Sequence, residues 1–277
     1  MAQTFTHFNT DSLLVGGTVT RSPMAHFYDL HVQNMKLEEL NDMKIFKIYG
    51  MKGLIPLLSN SKLFIDRVSS WEDVYENFFL KEEFFSKSMN MPIGTADMAN
   101  GAFGQSWTWA SETDAMWRIY SPDKKSVRVQ TSALKLFYAI FIDDSCIADT
   151  WMGKVEYNSE AEMNQFLLEN TKYDSVSIWR DLMPYTHFLK RNEFSHEKEF
   201  RIIKMLDSAE EALARSYLRL AFNINVDDFI ESYMLDPRLD DNEFENQKQE
   251  LVSLGANPGK ITKSQLYHFT PIRIELD

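Results

Sequence analysis

The sequence is poor in the residues that form disulfides, metal sites and tight turns. It has one cysteine, Cys146, together with 10 glycines and 8 prolines among 277 residues. One cysteine excludes an intrachain disulfide and a cysteine-based zinc site, and it suits the reducing cytoplasm. The acidic neighbours Asp143 and Asp144 disfavour the thiolate, so Cys146 is not predicted to be a nucleophile.

Long apolar segments and an excess of positive charge are also missing. No apolar run approaches the about 18 residues of a membrane-spanning helix, and residues 1–17 lack the basic start and apolar core of a signal peptide. We therefore expect a cytoplasmic protein with no membrane partner. The net charge of −12 repels a phosphate backbone at long range. This charge excludes a passive, sequence-independent nucleic-acid binder, but not an enzyme with a local basic cleft.

The common catalytic and nucleotide-binding motifs are absent as well. The sequence contains no P-loop, no G-x-G-x-x-G, no H-E-x-x-H and no G-x-S-x-G. This disfavours common ATPases, Rossmann dehydrogenases, zinc proteases and serine hydrolases. The six histidines show no metal-ligand spacing, so we predict no metal site.

Apolar and aromatic residues are abundant and follow alternating patterns. Hydrophobic residues make up 44% of the chain, with 20 Phe, 11 Tyr and 6 Trp, which is enough for one large core. Alternation of apolar and polar residues predicts strands at IFKIY (45–49), KLFIDRV (62–68), SVRVQ (126–130) and HEKEFRII (196–203).

Helical patterns separate these strands. GLIPLLSN (53–60) predicts a short helix with Pro56 in its first turn, and residues 69–85 predict a helix that begins with Ser and acidic residues. The tail from residue 216 predicts strand, short helix, strand, helix and strand. We therefore predict one α+β domain with a mixed or antiparallel sheet over residues 44–277, and an extension, residues 1–43, packed on it.

The segment HEKEFRII aligns three charged residues. In a strand, Glu197, Glu199 and Arg201 would project from one face, because successive side chains alternate. A solvent-exposed strand face with balanced charges is one interpretation. A reaction centre built from two carboxylates and a guanidinium is the other.

Several segments in order resemble a bacterial domain-of-unknown-function family, number twenty-nine seventy-one. These segments are IFKIY, LIPLLSNSKLFIDRVSSWEDVYE, SWTWASETDAMWRIYS, FSHEKEFRII, YMLDPRL and LGANPGKITKSQLY. The similarity covers roughly residues 44 to 267. This chain departs from the family at Val74, where the family often has Pro.

The unit of strand, short helix and strand at residues 45–68 also resembles the start of ADP-ribosyltransferase domains, and HEKEFR resembles their catalytic Glu-x-Glu strand. This resemblance implies an ADP-ribosyltransferase-like fold that uses NAD. It implies that Glu199 is the catalytic carboxylate and Glu197 its partner. The residues that would contact NAD are Lys47, Tyr49, Arg67, Trp107, Trp117, Tyr120 and Arg201. Lys47 and Tyr49 occupy the place of the family's usual NAD-holding residue.

The resemblance further implies an intracellular toxin or phage-defence effector. Its acceptor would be nucleic acid, such as RNA, or protein, and a neutralising antitoxin protein would be its partner. Two alternatives stay open. One is a metal-dependent nuclease, in which the paired carboxylates and a Lys act with further acidic residues, namely Asp66, Glu72, Asp73 and Glu76. The other is a non-enzymatic module whose aromatic cleft binds a small ligand or a peptide.

Overall fold

A computed structural model describes residues 13–15, 18–20, 32–87, 89–93, 101–141, 150–170, 182–206 and 218–276. The chain divides into two compact units. The larger unit is formed by Met1–Ile45, Leu63–Ala110 and Ser132–Asn223, and the smaller unit by Phe46–Lys62, Ser111–Thr131 and Ile224–Asp277. The predicted boundary at residue 43 stays a prediction, and Cys146 lies outside the described residues.

The larger unit contains a mixed sheet and three two-stranded pairs. Its strands are β1 (Leu13–Val15), β2 (Thr18–Thr20), β3 (Val32–Gln33), β5 (Lys62–Arg67), β6 (Phe84–Ser86), β7 (Met91–Ile93), β8 (Ala102–Thr108), β10 (Thr150–Lys154), β11 (Glu156–Asn158), β12 (Leu189–Arg191), β13 (Glu199–Met205) and β14 (Arg219–Asn223). In the main sheet β10 pairs in parallel with β3, whereas the pairs β10–β13, β13–β8 and β5–β8 are antiparallel. β14 pairs with β5.

β13 is an inner strand of this sheet, between β8 and β10, and its sequence explains its position. Residues 199–204 are all buried, so both faces of the strand are covered. Phe200 and Ile202 project from one face, and Glu199, Arg201 and Ile203 from the other. Ile203 joins a buried apolar cluster with Val68, Ala102 and Phe188. The charged start of β13 therefore continues into an apolar core on the same face.

Short helices lie between these strands in the chain. The helices of the larger unit are α2 (Phe78–Lys81), α4 (Ala133–Phe141), α5 (Glu160–Asn170) and α6 (Met183–Thr186). Side chains from α2, α5 and α6 pack together with Leu189 of β12 in a second apolar cluster. The segment of 3-10 helix Val74–Asn77 leads directly into α2.

The parallel pairing of β3 with β10 depends on one glycine. A Cβ at Gly153 of β10 would collide with the carbonyl oxygen of Gln33 in β3. Only glycine allows the two backbones to approach this closely. This close approach lets β3 complete the sheet beside β10.

The smaller unit also combines helices with both parallel and antiparallel strand pairs. Its elements are α1 (Met51–Ser59), α3 (Asp114–Tyr120), β9 (Val127–Ser132), α7 (Val226–Phe229), β15 (Ser232–Leu235), α8 (Asp241–Ser253) and β16 (Ile261–Lys263). β15 pairs antiparallel with β9 and parallel with β16. A capping box fixes the start of α8, because Asp240 accepts from the Glu243 backbone and Glu243 reaches back to the Asp240 backbone. The chain first passes from the larger to the smaller unit within β4 (Lys44–Tyr49).

The prediction of helices combined with strands in a mixed sheet is confirmed. The predicted order strand, short helix, strand, helix and strand over the tail is also confirmed, in β14, α7, β15, α8 and β16. No helix among the described ranges is both long enough and apolar enough to cross a membrane.

Three local predictions are wrong. Pro56 lies in the middle of α1 rather than in its first turn. Residues 69–85 form turns of 3-10 helix, α2 and β6 instead of one helix. The predicted strand at HEKEFRII begins only at Glu199, because residues 192–197 form a 3-10 helix that ends at Lys198.

Candidate functional site

The larger unit contains five charged side chains that are buried together. They come from four segments: Glu76 from the 3-10 helix Val74–Asn77, Lys190 from β12, Glu197 from the 3-10 helix Asn192–Glu197, and Glu199 and Arg201 from β13. We call these five residues the ionic cluster. Arg201 is 0% exposed, Glu199 5% and Glu197 9%. The interpretation of this segment as a solvent-exposed strand face is therefore wrong.

Lys190 joins all three carboxylates of the ionic cluster. Its Nζ lies 3.1 Å from Glu76 Oε1, 2.7 Å from Glu197 Oε2 and 2.5 Å from Glu199 Oε1. An ammonium has three donors, so one lysine can bond each of these carboxylates. Lys190 therefore sits at the point where the three acidic side chains converge.

Arg201 holds two of these three carboxylates, those of Glu199 and Glu76, from within the core. Its Nε donates to Glu199 Oε2 at 2.7 Å, and its Nη2 donates to Glu76 Oε1 at 2.6 Å. Its Nη1 donates to the backbone carbonyl of His187 at 2.8 Å. Both oxygens of Glu199 are thus fixed by cations, one by Lys190 and one by Arg201.

Aromatic rings cover the cations of this region. The Arg201 guanidinium lies 4.9 Å from the centre of the Trp71 ring, and Lys190 Nζ lies 4.6 Å from the centre of the Phe194 ring. These contacts add cation–π attraction and exclude water from the charges. The cluster is therefore desolvated as well as paired, which strengthens each electrostatic interaction in it.

A backbone turn brings Glu197 to Glu199 although the two are not on one strand. Lys198 has a left-handed backbone with φ 43° and ψ 61°, and it ends the preceding 3-10 helix. This turn directs Glu197 back to Lys190, where it meets Glu199. The two carboxylates are brought together as predicted, but by a turn rather than by strand alternation.

The surroundings keep Glu199 ionised. Burial alone would raise the pKa of this carboxyl, but the charge and hydrogen bond of Arg201 and the charge of Lys190 outweigh it, so the pKa lies well below its usual range. The backbone N–H of Glu199 donates to the hydroxyl of Tyr157 at 2.8 Å, and burial raises the pKa of Tyr157. Glu199 can therefore stabilise a positive charge at any physiological pH, but it cannot deliver a proton there.

His187 is the buried titratable residue beside the ionic cluster. Neither ring nitrogen makes a hydrogen bond within the part of the chain that the structure describes. Burial and, to a smaller extent, the charge of Arg201 lower the pKa of His187 to about 4, although the Glu76 backbone acts in the opposite direction. The histidine is therefore neutral at pH 7, and folding holds it in that form.

The low pKa of His187 predicts that the protein loses stability in acid. Its folded pKa lies below the unfolded value of about 6.5, so the unfolded state binds more protons as pH falls from 7 to 5. The free energy of unfolding should fall by about 2 kcal/mol over that interval from His187 alone. His187→Leu should reduce the dependence of the free energy of unfolding on pH. His268→Leu, at an exposed position, should leave this dependence unchanged. Urea midpoints at pH 7 and pH 5 measure the effect, and equal pH responses in wild type and His187→Leu would contradict it.

Two other predicted NAD contacts lie in the larger unit. Trp107 in β8 pairs with Phe200 in β13, so its side chain projects from the face opposite to Glu199. The Trp107 indole is buried and donates to Gln105. Arg67 ends β5, is buried, and packs on the Phe103 ring at 5.4 Å. The structure therefore does not bring Trp107 to the carboxylate face, and Arg67 packs against an apolar ring.

The other four predicted NAD contacts lie in the smaller unit. Lys47 and Tyr49 are on β4, with Lys47 Nζ 5.6 Å from the centre of the Tyr49 ring. Trp117 is buried in α3 and donates to Glu112, whereas Tyr120 at the end of α3 is 40% exposed. Their contacts with NAD stay predictions.

The acidic residues proposed for a nuclease are distributed over several places. Glu76 joins the ionic cluster, Asp73 pairs with Arg191 at 3.1 Å, and Asp66 pairs with Arg219 at 3.3 Å. Glu72 is exposed. The ammonium of Lys190 occupies the point at which a metal ion would have to bind the three glutamates. Within the described residues, no group of three or more His, Cys, Asp or Glu side chains has the arrangement of a metal site.

Sequence reasoning missed the residue at the centre of the site. Lys190 lies in HFLKRNEF and has no charge pattern that marks it. Its partner Glu76 is 114 residues earlier in the chain, a contact that local patterns do not report. The one available signal is that Lys190 follows the apolar residues Phe188 and Leu189, so the start of β12 points to burial.

One comparison with known proteins gives a match. Residues 116–202 match the family model described as Protein of unknown function (DUF2971). This match supports the resemblance to that family noted from the sequence motifs. It includes Lys190, Glu197, Glu199 and Arg201, and it excludes Glu76. No curated protein and no solved structure matches the chain significantly.

Proposed function

We propose that the larger unit of this protein transfers ADP-ribose from NAD, with the ionic cluster as its reaction centre. NAD is the substrate that supplies the ADP-ribosyl group. Glu199 is the catalytic carboxylate and Glu197 is its partner. We also propose an ADP-ribosyltransferase-like fold. The Glu-x-Glu element formed by Glu197 and Glu199, which is followed by Arg201, supports this fold.

One observation carries the proposal. The carboxylates of Glu197 and Glu199 meet at a single ammonium, Lys190, at 2.7 and 2.5 Å. Transfer from a glycosidic carbon passes through a positively charged, oxocarbenium-like state, which paired carboxylates stabilise. A desolvated carboxylate that is already fixed by hydrogen bonds needs little reorganisation during the reaction.

Three residues of the ionic cluster have distinct tasks in the proposed reaction. The bond between the ribose carbon and the nicotinamide nitrogen breaks, and nicotinamide leaves with the electron pair. Glu199 stabilises the charge on the ribose carbon, the acceptor then bonds to that carbon, and Glu197 takes the acceptor's proton. Arg201 is fully buried, so its task is to hold the carboxylates rather than to contact the pyrophosphate.

The biological role that fits this chemistry is that of an intracellular toxin or a phage-defence effector. We propose nucleic acid or protein as the acceptor and an antitoxin protein as the neutralising partner. The support is the resemblance of HEKEFR to the catalytic strand of such enzymes, together with the buried pairing of its two glutamates. Growth arrest on expression of the chain, relieved by substitution in the ionic cluster, would accord with this role.

An assay with labelled NAD tests the reaction directly. Wild type should release nicotinamide, and Glu197→Gln should reduce release by about 10²-fold, because a positioned proton acceptor typically contributes that much or more. Glu193→Gln is the matched control, since Glu193 is exposed on the same 3-10 helix. It should leave the rate unchanged.

Two outcomes would contradict the proposal. One is wild-type protein that neither releases nicotinamide nor gains thermal stability from NAD. The other is full turnover in Glu197→Gln. Parallel reactions with Mg²⁺ and a nucleic-acid substrate distinguish the nuclease alternative, and silence in both assays favours a binding module.

A further inference from the structure

An exposed aromatic ring lies just beyond the end of β8. Trp109 follows the last residue of β8 and is 39% exposed. Its backbone N–H donates to the carbonyl of Lys198 at 3.0 Å. Lys154, which lies beside this ring, pairs with Phe200 in β13, so the ring is on the face of the sheet opposite to Glu199.

Two lysines accompany this ring. Lys198 Nζ lies 5.1 Å and Lys154 Nζ 5.6 Å from the centre of the Trp109 ring. Antiparallel pairing brings the two lysines to this ring, because the last residues of β8 and β10 lie beside the first residues of β13. Two ammonium groups around one exposed indole form a local basic aromatic surface on a chain whose net charge is −12.

The backbone at Lys198 is a second, independent observation. Its φ of 43° and ψ of 61° lie in the left-handed region, which residues other than glycine and asparagine seldom adopt. Strained backbone of this kind is concentrated at functional sites. Here the turn sends Glu197 inward to Lys190 and leaves the Lys198 side chain exposed at Trp109.

We propose that Trp109, Lys154 and Lys198 form a platform for a single-stranded nucleic acid. A base stacks on the indole, and the two ammonium groups move from the ring to the flanking phosphates. Proteins bind single strands by this combination of aromatic stacking and lysine contacts with the backbone. A duplex, whose bases are already stacked and paired, cannot place a base on an isolated ring in this way.

The platform is independent of the proposed function, because it lies on the sheet face opposite to Glu199. The acidic chain repels nucleic acid at long range, and affinity therefore has to come from these local contacts. This restricts binding to strands that can expose an unpaired base.

Glu39 limits the positive charge of the platform. Its Oε2 lies 2.6 Å from Lys154 Nζ, and the hydrogen bond from Lys154 lowers the pKa of Glu39. Lys198, in contrast, makes no ion pair with any residue that the structure describes. Removing the charge of Glu39 should free Lys154 for a phosphate and increase affinity.

The experiment uses a fluorescein-labelled single-stranded RNA of about ten nucleotides and measures fluorescence anisotropy without NAD. Trp109→Ala should weaken binding by about 5- to 150-fold, whereas Trp109→Phe, which keeps an aromatic face, should lose much less. Lys198→Gly removes the ammonium but suits the left-handed backbone. It should reduce the slope of log affinity against log salt by about 0.7, the value for one phosphate contact. Glu39→Gln should bind more tightly than wild type.

Lys124→Gly is the matched control for Lys198→Gly. Lys124 also has a positive φ, 63°, but it belongs to the smaller unit. It should leave affinity and salt slope unchanged. Equal RNA binding by wild type and Trp109→Ala would overturn the platform, as would displacement of the RNA by NAD alone, which would assign the ring to the dinucleotide.

The two proposals fail in distinguishable ways. NAD turnover without RNA binding would overturn the platform and leave the proposed function in place. RNA binding that depends on Trp109, without NAD turnover, would overturn the proposed function and leave a nucleic-acid site.

Discussion

Arg201→Met is expected to lower the free energy of unfolding by about 3–5 kcal/mol. The guanidinium is fully buried and bonds Glu199, Glu76 and the carbonyl of His187. Methionine fills much of its volume but leaves two buried carboxylates with Lys190 as their shared cation. A buried charge that loses its partner costs far more than the pair itself contributes. Urea denaturation followed by circular dichroism measures the change.

An exposed arginine provides the matched comparison. Arg219 pairs with Asp66 at 3.3 Å, and both side chains are about half exposed, at 55% and 49%. Arg219→Met should change stability by less than about 1 kcal/mol. If the two variants unfold at the same urea concentration, the ionic cluster does not contribute to stability as we infer.

Glu199→Gln is expected to reduce NAD turnover by about 10²–10³-fold, the usual effect of removing one electrostatic stabiliser. Glutamine keeps the shape and the hydrogen-bonding capacity of the side chain but removes its charge. Because the pKa of Glu199 is held well below its usual range, the wild-type rate should show no titration of this group between pH 5 and pH 8. Rates of nicotinamide release over that pH range test both statements.

Loss of stability has to be separated from loss of chemistry in this variant. Glu76→Gln is the control, because Glu76 bonds the same two cations, Lys190 and Arg201. Both variants should be destabilised to a similar extent, and assays should be run well below their melting temperatures. A catalytic Glu199 predicts a rate loss far greater than that of Glu76→Gln. Equal losses would show that Glu199 supports the fold and takes no direct part in catalysis.

The sequence predicted the elements whose patterns are local. The alternating segments at β4, β5 and β9 are strands, and the tail has the predicted order of elements. In each case the signal lies within a few residues of the element itself. A pattern of this kind needs no knowledge of distant contacts.

The site could be predicted only in part, for physical reasons that particular residues show. The left-handed turn at Lys198 is unusual for lysine, so alternation wrongly extended the strand to Glu197. Lys190 and Glu76 meet across more than a hundred residues, and no local pattern reports such a contact. Trp109 lies just beyond the end of β8 and is partly exposed, and no local pattern distinguishes it from the buried Trp107 two residues earlier.

The ionic cluster also restricts how the chain can assemble its central sheet. If β13 slipped by one residue against β8, Glu199 and Arg201 would turn to the face that Phe200 and Ile202 occupy. Two charges would then enter an apolar environment without Glu76 or Lys190, at a cost of several kcal/mol each. Apolar side chains alone discriminate weakly between these alignments, because β13 is buried on both faces. The buried charges therefore specify the register of β13, because a shifted alignment would be less stable than the native one.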